Sequence, residues 1–173
     1  RLDARVLRTV ADHRAIELRV VVLGGASAAL LEQLALRDGS LELGALQGWR
    51  PTIVFRRFGV DPWSGDGGEG ADLEAYLPYA DALVLTDGLG GGEHYSSTAV
   101  ERLWRALGPT QRGIPTAVFG FHALAEEWQS LSGTAPVAVL DPTPANAQPV
   151  VKAVAAALLR SRLRSIPPPP PPG

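Results

Sequence analysis

The stretch that decides the fold is RVVVLGGASAALLEQL, residues 19–34, in which an apolar β-branched run meets two glycines and passes into a helix-forming segment. Residues 18–23 predict a buried strand, because unbroken β-branched runs are typical of strands covered on both faces. Residues 26–36 predict a helix with leucines on its apolar face. Strand–turn–helix junctions of this kind hold phosphates or present nucleophiles. The turn at residues 24–27 is therefore the first place to look for chemistry.

The rest of the chain continues this alternation of strands and helices. Further strands are predicted at residues 41–46, 52–58, 82–86, 116–121 and 137–140, and helices at 72–79, after Thr98, at 124–131 and from Pro149 to about Arg164. The short gap after the strand at 41–46 favours an antiparallel pair with the next strand. Together these elements predict an α/β, three-layer fold with a mainly parallel sheet of about six strands and helices on both faces.

The domain organisation is simple. Residues 1–17 have the apolar spacing of an amphipathic leading helix, residues 18–164 form the α/β domain, and residues 165–173 are a proline-rich tail. The 173-residue chain has no methionine and begins at Arg1, so we expect it to be an excised or processed piece of a longer polypeptide.

Composition excludes several classes of function. The net charge is −2 and the arginines are scattered, so no nucleic-acid partner is expected. No apolar run is long enough to cross a bilayer, and a membrane partner is not expected either. The absence of cysteine excludes disulfides, thiolate metal sites and cysteine nucleophiles, and it fits a cytoplasmic protein. The histidines lack partners at ligand spacing, so we expect no metal and no other cofactor.

The order of elements over residues 18–160 resembles the Ras-like small GTPase domain. GGASAALL stands at the position of its phosphate loop, DPWSGDGGEG at that of a switch loop, and YADALVLTDG and GIPTAVFGFH at those of its fourth and fifth strands. APVAVLDPTP and the last helix are similar to its sixth strand and closing helix. The resemblance implies a small GTPase-like, P-loop-like fold.

The residues that bind nucleotide in that family are missing. Counted from Gly24, the places of the second glycine, the lysine and the magnesium-binding hydroxyl are taken by Ala29, Leu30 and Leu31. Lys152 is the single lysine and lies in the last predicted helix. The resemblance therefore implies a degenerate pseudo-GTPase whose vestigial loop binds no nucleotide; that loop consists of Gly24, Gly25, Ala26 and Ser27.

Two alternatives remain open. In the first, residues 82–87, ALVLTD, resemble the central strand of a receiver domain with Asp87 as phosphoacceptor. Glycines occupy the place of the magnesium-binding acids and no lysine stands at the place directly after the fifth strand, so such a receiver would be inactive. In the second, Ser27 on a nucleophile elbow, with Asp87 and His122, would make a weak nucleotide or ester hydrolase. Ala29 in place of the elbow's second glycine argues against hydrolysis.

The main prediction is a non-catalytic protein-interaction or scaffolding domain of a larger protein. Its binding surface is expected at the glycine-rich loops 61–70 and 87–94, where a protein partner would impose order. Trp63 is a candidate anchor because it lies in a polar loop, although local packing over that loop is the alternative. The other interaction candidates are Tyr76, Tyr79, Asp87 and His94.

The tail has two interpretations. Six consecutive prolines favour the polyproline II conformation, which a proline-binding domain can recognise or which can act as a stiff spacer. A lone proline run without flanking arginine motifs favours the spacer, although Arg160, Arg162 and Arg164 lie just upstream.

Overall fold

The computed structural model describes residues 14–23, 40–42, 48–59, 62–63, 68–86, 97–119, 122–140, 156–158 and 160–168. The strands are β1 (Ala15–Leu23), β2 (Ser40–Glu42), β3 (Arg50–Phe58), β4 (Ala82–Thr86), β5 (Thr116–Phe119) and β6 (Ala138–Leu140). The helices are α1 (Glu69–Tyr76), α2 (Ser97–Ala106) and α3 (His122–Ser132), with short 3₁₀ turns at Leu77–Tyr79 and Gln111–Gly113. Residues 156–158 and 160–163 are also helical and are called the C-terminal helix below.

The six strands form one sheet in the order β2-β3-β1-β4-β5-β6. Strands β1, β3, β4, β5 and β6 are parallel, and β2 pairs antiparallel with β3. The predicted α/β class, the mainly parallel sheet and the antiparallel pair are confirmed. Among the parallel strands alone the order is second, first, third, fourth, fifth, which is one of the two common doubly wound arrangements.

Strand β1 starts earlier than the sequence predicts. The leading helix was expected to reach residue 17, but residues 15–17 belong to the strand, and residues 1–13 lie outside the described part of the chain. The reason is the long β3 partner, with which β1 pairs from Ala15 opposite Arg50 onward. Ile16 and Leu18 are buried on one face of this extension, whereas Glu17 and Arg19 are only partly buried on the other.

The first two helices also differ from the predicted boundaries. Helix α1 begins at Glu69, so the last two residues of the predicted glycine loop are helical, and it continues into a 3₁₀ turn that contains Pro78. Helix α2 begins at Ser97, which places Thr98 in the first turn rather than at the predicted cap. The predicted helix at residues 26–36 lies outside the described residues.

One face of the sheet is covered by α1, α2 and α3. Alternate residues of the central strands point to this face and meet leucines from the helices in a single buried cluster. Helices α2 and α3 are joined by an edge-to-face contact of Trp104 and Trp128, whose ring centroids are 5.7 Å apart. The buried members of this cluster are Val21, Leu23, Phe58, Leu73, Leu77, Ala80, Leu83, Leu85, Val100, Leu103, Leu107, Ile114, Val118, Leu124, Ala125 and Trp128.

The C-terminal helix supplies two further buried leucines, Leu158 and Leu163, outside that cluster. The helix is tied to the sheet by Asp81, a 1% exposed carboxylate just before β4. Asp81 accepts hydrogen bonds from the Arg19 backbone N–H at 2.9 Å and from Arg162 Nε at 3.0 Å. An ion pair between the buried Asp81 and the partly buried Arg162 therefore joins the last helix to the middle of the sheet. Within the described part of the chain, every helix is too short or too polar to cross a membrane.

Candidate functional site

The carboxyl ends of the strands are where doubly wound folds bind ligands. Several predicted site residues at this edge lie outside the described part of the chain, and their roles stay predictions: Gly24, Gly25, Ala26, Ser27, Asp87 and His94. His122 is the first residue of α3. Among the described residues, no group of three or more histidines and carboxylates is arranged to hold a metal ion. The predicted site residues that the structure describes are Trp63, Tyr76 and Tyr79.

Trp63 is fixed against its own surroundings. Its indole Nε1 donates a hydrogen bond to Glu74 Oε1 at 3.0 Å, and the guanidinium of Arg102 in α2 lies over its ring, 5.1 Å from the centroid. The ring also packs on Gly70, where an added Cβ would be 2.4 Å from Trp63 Cδ1. Local packing thus holds this loop tryptophan in place, and its role as an interface anchor stays a prediction. Its partly buried ring borders on α1 and α2 together.

The start of α1 is held to the end of β3. The backbone N–H of Gly59, directly after β3, donates to the Glu69 side chain in the first turn of α1. Gly68, just before the helix, has φ 73°, a left-handed conformation that favours glycine. The glycine-rich sequence of this segment therefore has a structural use, because it allows a sharp entry into a helix that lies close to an indole ring.

Tyr76 lies at the other end of α1 and is half-buried. The guanidinium of Arg56, from β3, lies 5.5 Å from the Tyr76 ring centroid and 5.6 Å from that of Phe58. Burial raises the pKa of the Tyr76 hydroxyl, and the positive charges of Arg19 and Arg56 oppose part of this rise. The phenol therefore stays neutral at physiological pH.

Tyr79 is the most exposed large aromatic residue of the described chain, at 44%. The guanidinium of Arg19, from β1, lies 5.8 Å from its ring centroid, and Arg19 Nη2 is 3.6 Å from Glu17 Oε1. Because Arg19 and Arg56 come from neighbouring strands and point to the same face, Tyr76 and Tyr79 share one patch of the surface.

Three arginine–aromatic pairs thus surround α1, and we call these six residues the α1 surface: Arg102 with Trp63, Arg56 with Tyr76, and Arg19 with Tyr79. Trp63 contacts Gly70 and Glu74 of α1, whereas Tyr76 is the last residue of this helix and Tyr79 lies in the 3₁₀ turn that follows it. The structure therefore places the three described candidates around one helix but not in one pocket. The three arginines were not among the predicted site residues.

The α1 surface combines three residue types that are common in protein interfaces. Tryptophan, tyrosine and arginine are the residues that contribute most energy in protein interfaces. A guanidinium stacked on an aromatic ring keeps the N–H groups at its edge available to donate to carboxylates or carbonyls. The outward side of α1 adds three exposed acidic residues, so the surface carries both signs of charge: Glu69, Asp72 and Glu74.

Comparison with known proteins gives a fold and no family. No family model and no curated protein match the chain. A diflavin flavoprotein A3 from Nostoc sp. is similar in structure, with 13% identity and a TM-score of 0.50 over 86% of this chain and 98% of that chain. A putative pilus assembly-related protein from Burkholderia pseudomallei aligns over 81% of this chain and 90% of its own, with 15% identity and a TM-score of 0.39, too distant to add to the argument. The likeness indicates a flavodoxin-like α/β fold and gives no support to the GTPase resemblance.

Proposed function

We propose that this chain is a non-catalytic protein-interaction domain of receiver-like form. The observation that carries the proposal is the α1 surface, in which three arginine–aromatic pairs leave Arg56 and Arg102 exposed and Tyr79 nearly half-exposed. The complementary partner is a protein surface that offers carboxylates and backbone carbonyls to the guanidinium edges and apolar area to the rings.

The receiver-like form is favoured by the position of β4. This strand is the middle one of the five parallel strands, and ALVLTD, which resembles the central strand of a receiver, consists of β4 and Asp87. The order of the parallel strands is the one shared by flavodoxins and receiver domains. The flavodoxin-like structural neighbour supports the same assignment of form.

The lack of catalysis is inferred from the side chains that the sequence does not supply. A working receiver needs acidic residues after its first strand and a lysine after its fifth, whereas this chain has Gly24 and Gly25 at the first place and its single lysine, Lys152, far along the chain. Without these groups a phosphoryl group or a triphosphate would keep uncompensated charge, which costs several kcal/mol when it is desolvated.

A pseudo-GTPase is the second candidate, and one observation favours it. Strand β2 runs antiparallel to β3 at the sheet edge, as the short gap after the strand predicted at residues 41–46 favours, and small GTPases also carry an antiparallel strand pair after the first helix. The receiver-like domain and the pseudo-GTPase would both bind a protein partner. They differ in the ligand of an active relative, which is a phosphoryl group for a receiver and a guanine nucleotide for a GTPase. Hydrolysis through Ser27 is the remaining alternative.

Binding and labelling assays test the absence of chemistry. Calorimetry with GTP, GDP and ATP plus Mg²⁺ is expected to show no Kd below about 1 mM. A fluorophosphonate probe is expected to leave Ser27 unlabelled. Saturable heat with a guanine nucleotide would instead support an active GTPase relative, and covalent labelling of Ser27 would support a hydrolase.

Affinity capture tests the α1 surface. The intact chain is compared with the double variant Arg56→Ser, Tyr79→Ser, and with the control Arg112→Ser, which removes an exposed arginine stacked 4.6 Å from the Trp104 ring centroid at another place. The amount of each protein captured through the α1 surface is expected to fall at least about tenfold with the double variant, as for loss of a hot spot. With the control variant the captured amount is expected to stay unchanged. Equal capture by all three would contradict the proposal.

A further inference from the structure

The C-terminal helix presents one stripe of side chains on the side opposite its buried leucines. The stripe consists of Ala157, Arg160, Ser161 and Arg164. These residues have the spacing i, i+3, i+4 and i+7, which places them on one face of a helix, whereas Leu158 and Leu163 fall on the other face. Because both leucines are buried and Arg162 is bonded to Asp81, the orientation of the stripe is fixed.

A groove lies between this stripe and the edge of the sheet. The stripe residues and Val137 line the groove, and its volume of about 510 Å³ is in the range of ligand pockets. Val137 directly precedes β6, the last strand in the sheet order, and its backbone N–H donates to the Thr116 carbonyl at 2.8 Å. The Val137 side chain is 41% exposed, so it gives the groove an apolar wall that a ligand can cover.

The other wall of the groove is positively charged. Among the described residues that line the groove, the charged ones are Arg160 and Arg164, and both are exposed. The two arginines are four residues apart, which is about 6 Å along the helix axis. Like charges at this spacing on a helix repel each other. A ligand that brings negative charge into the groove offsets this repulsion, whereas a basic ligand adds to it.

The guanidinium of Arg164 is held in a position that suits a carboxylate. Its Nε donates to the Arg160 carbonyl at 3.3 Å, and its backbone N–H donates to the same oxygen at 3.2 Å. Because Nε is used in this bond, the two Nη groups are the donors that a carboxylate can reach. The helix dipole favours cations near a helix C-terminus without any ligand, but it does not account for the exposed valine on the opposite wall.

We propose that this groove binds an acidic peptide segment of a partner protein, with carboxylates on Arg160 and Arg164 and an aliphatic side chain against Val137. Charge-assisted hydrogen bonds to the guanidinium groups supply affinity and direction, and burial of the apolar wall adds to them. An anionic membrane offers the same charge, but a flat surface does not fit into a groove between a helix and a sheet edge. The inference is independent of the proposed function, because the residues of this groove are not part of the α1 surface.

Fluorescence polarisation with the full 173-residue chain tests the proposal. The probe is a labelled hexapeptide in which a pair of leucines stands between two pairs of glutamates. One control peptide has serines in place of the leucines, and the other has lysines in place of the glutamates. The probe is expected to bind with a Kd below about 200 µM and at least about fivefold more tightly than either control peptide. A weaker Kd, or a smaller preference over either control peptide, overturns the proposal.

Two variants test the walls of the groove. Arg164→Glu is expected to weaken probe binding at least about fivefold, because it reverses the charge that meets the carboxylates. Its matched control is Arg105→Glu, which changes an exposed arginine in the last turn of α2 and is expected to leave the Kd unchanged. Val137→Ser is expected to weaken the leucine probe and to leave the affinity for the serine peptide unchanged. Equal affinity of Arg164→Glu and the unchanged chain, or of Val137→Ser and the unchanged chain for the probe, overturns the site.

Co-sedimentation with vesicles of phosphatidylserine and phosphatidylcholine separates a peptide site from a membrane site. The unchanged chain is expected to stay in the supernatant. Sedimentation that is lost in Arg164→Glu and kept in Arg105→Glu would assign these arginines to a lipid surface and would overturn the proposal.

Discussion

The contact between Gly70 and Trp63 explains why a segment whose sequence predicts a loop begins a helix instead. In a helix, glycine is less favourable than alanine by about 1 kcal/mol, so a glycine in the first turn of α1 needs a reason. The reason is the indole ring of Trp63, which lies where a Cβ of residue 70 would be. The sequence predicts a loop here because the segment is rich in glycine, but one of these glycines, Gly70, is required for the contact with Trp63.

We predict that Gly70→Ala destabilises the protein by about 1 to 3 kcal/mol, because overpacking against the indole ring outweighs the gain in helix propensity. Chemical denaturation followed by tryptophan fluorescence measures the change. The control is Gly113→Ala, at a glycine whose added Cβ would meet no atom within 4 Å. A Gly70→Ala variant as stable as the control would contradict the packing of Trp63.

Tyr76 gives the second prediction at this scale, a loss of stability at high pH. Burial raises the pKa of its hydroxyl above the ordinary value of about 10, although the neighbouring arginines oppose the rise, and Glu17 and Asp81 add to it. The unfolded chain therefore loses this proton at lower pH than the folded chain does. As pH rises through 10, the free energy of unfolding is expected to fall, and below pH 9 this contribution is fully present.

Urea denaturation between pH 8 and pH 11, with Tyr76→Phe as the comparison, tests this linkage. The unchanged chain is expected to lose stability more steeply above pH 10 than the variant, which lacks the ionisable hydroxyl. Identical pH profiles would contradict the effect of burial on Tyr76.

At the scale of elements, the sequence predicts best the strands that are buried on both faces. Strands β1 and β4 were recognised because their apolar runs are unbroken, and β4 has the predicted bounds. The extension of β1 to Ala15 was not predicted because the apolar spacing of residues 1–17 favours a helix, although the alternation of Glu17 and Arg19 with apolar residues is a strand pattern. The partners of Trp63 and the two tyrosines could not be predicted, because Arg56 and Arg102 come from elements that only the tertiary fold brings to α1.

The C-terminal helix is attached to the sheet by the ion pair of Asp81 and Arg162. We predict that Asp81→Ala destabilises the fold by about 3 to 5 kcal/mol, since it leaves Arg162 without its buried partner and the Arg19 N–H without its acceptor. Denaturation of Asp81→Ala, Arg162→Met and the double variant gives the coupling energy. If the double variant loses as much stability as the two single variants together, the coupling energy is zero and the ion pair does not hold the helix to the sheet.

At the scale of the whole molecule, the five parallel strands follow a doubly wound, flavodoxin-like order, and one antiparallel strand lies at the sheet edge. The alternation of strands and helices predicts the α/β class and the parallel sheet, because strands that are buried on both faces have nearly continuous apolar sequences. This alternation does not distinguish between receiver, flavodoxin and GTPase folds, because all three share it. The choice depends on a few side chains, from which we propose a binding domain that uses the α1 surface.

One native mass spectrum tests the proposed non-catalytic domain most directly. The intact chain is incubated with acetyl phosphate, GTP and Mg²⁺, so that a covalent phosphoryl group on Asp87 and a bound nucleotide are read in the same sample. We predict the unmodified, nucleotide-free mass alone. A species heavier by one phosphoryl group and absent in Asp87→Asn, or a stoichiometric complex with guanine nucleotide, would contradict a non-catalytic domain.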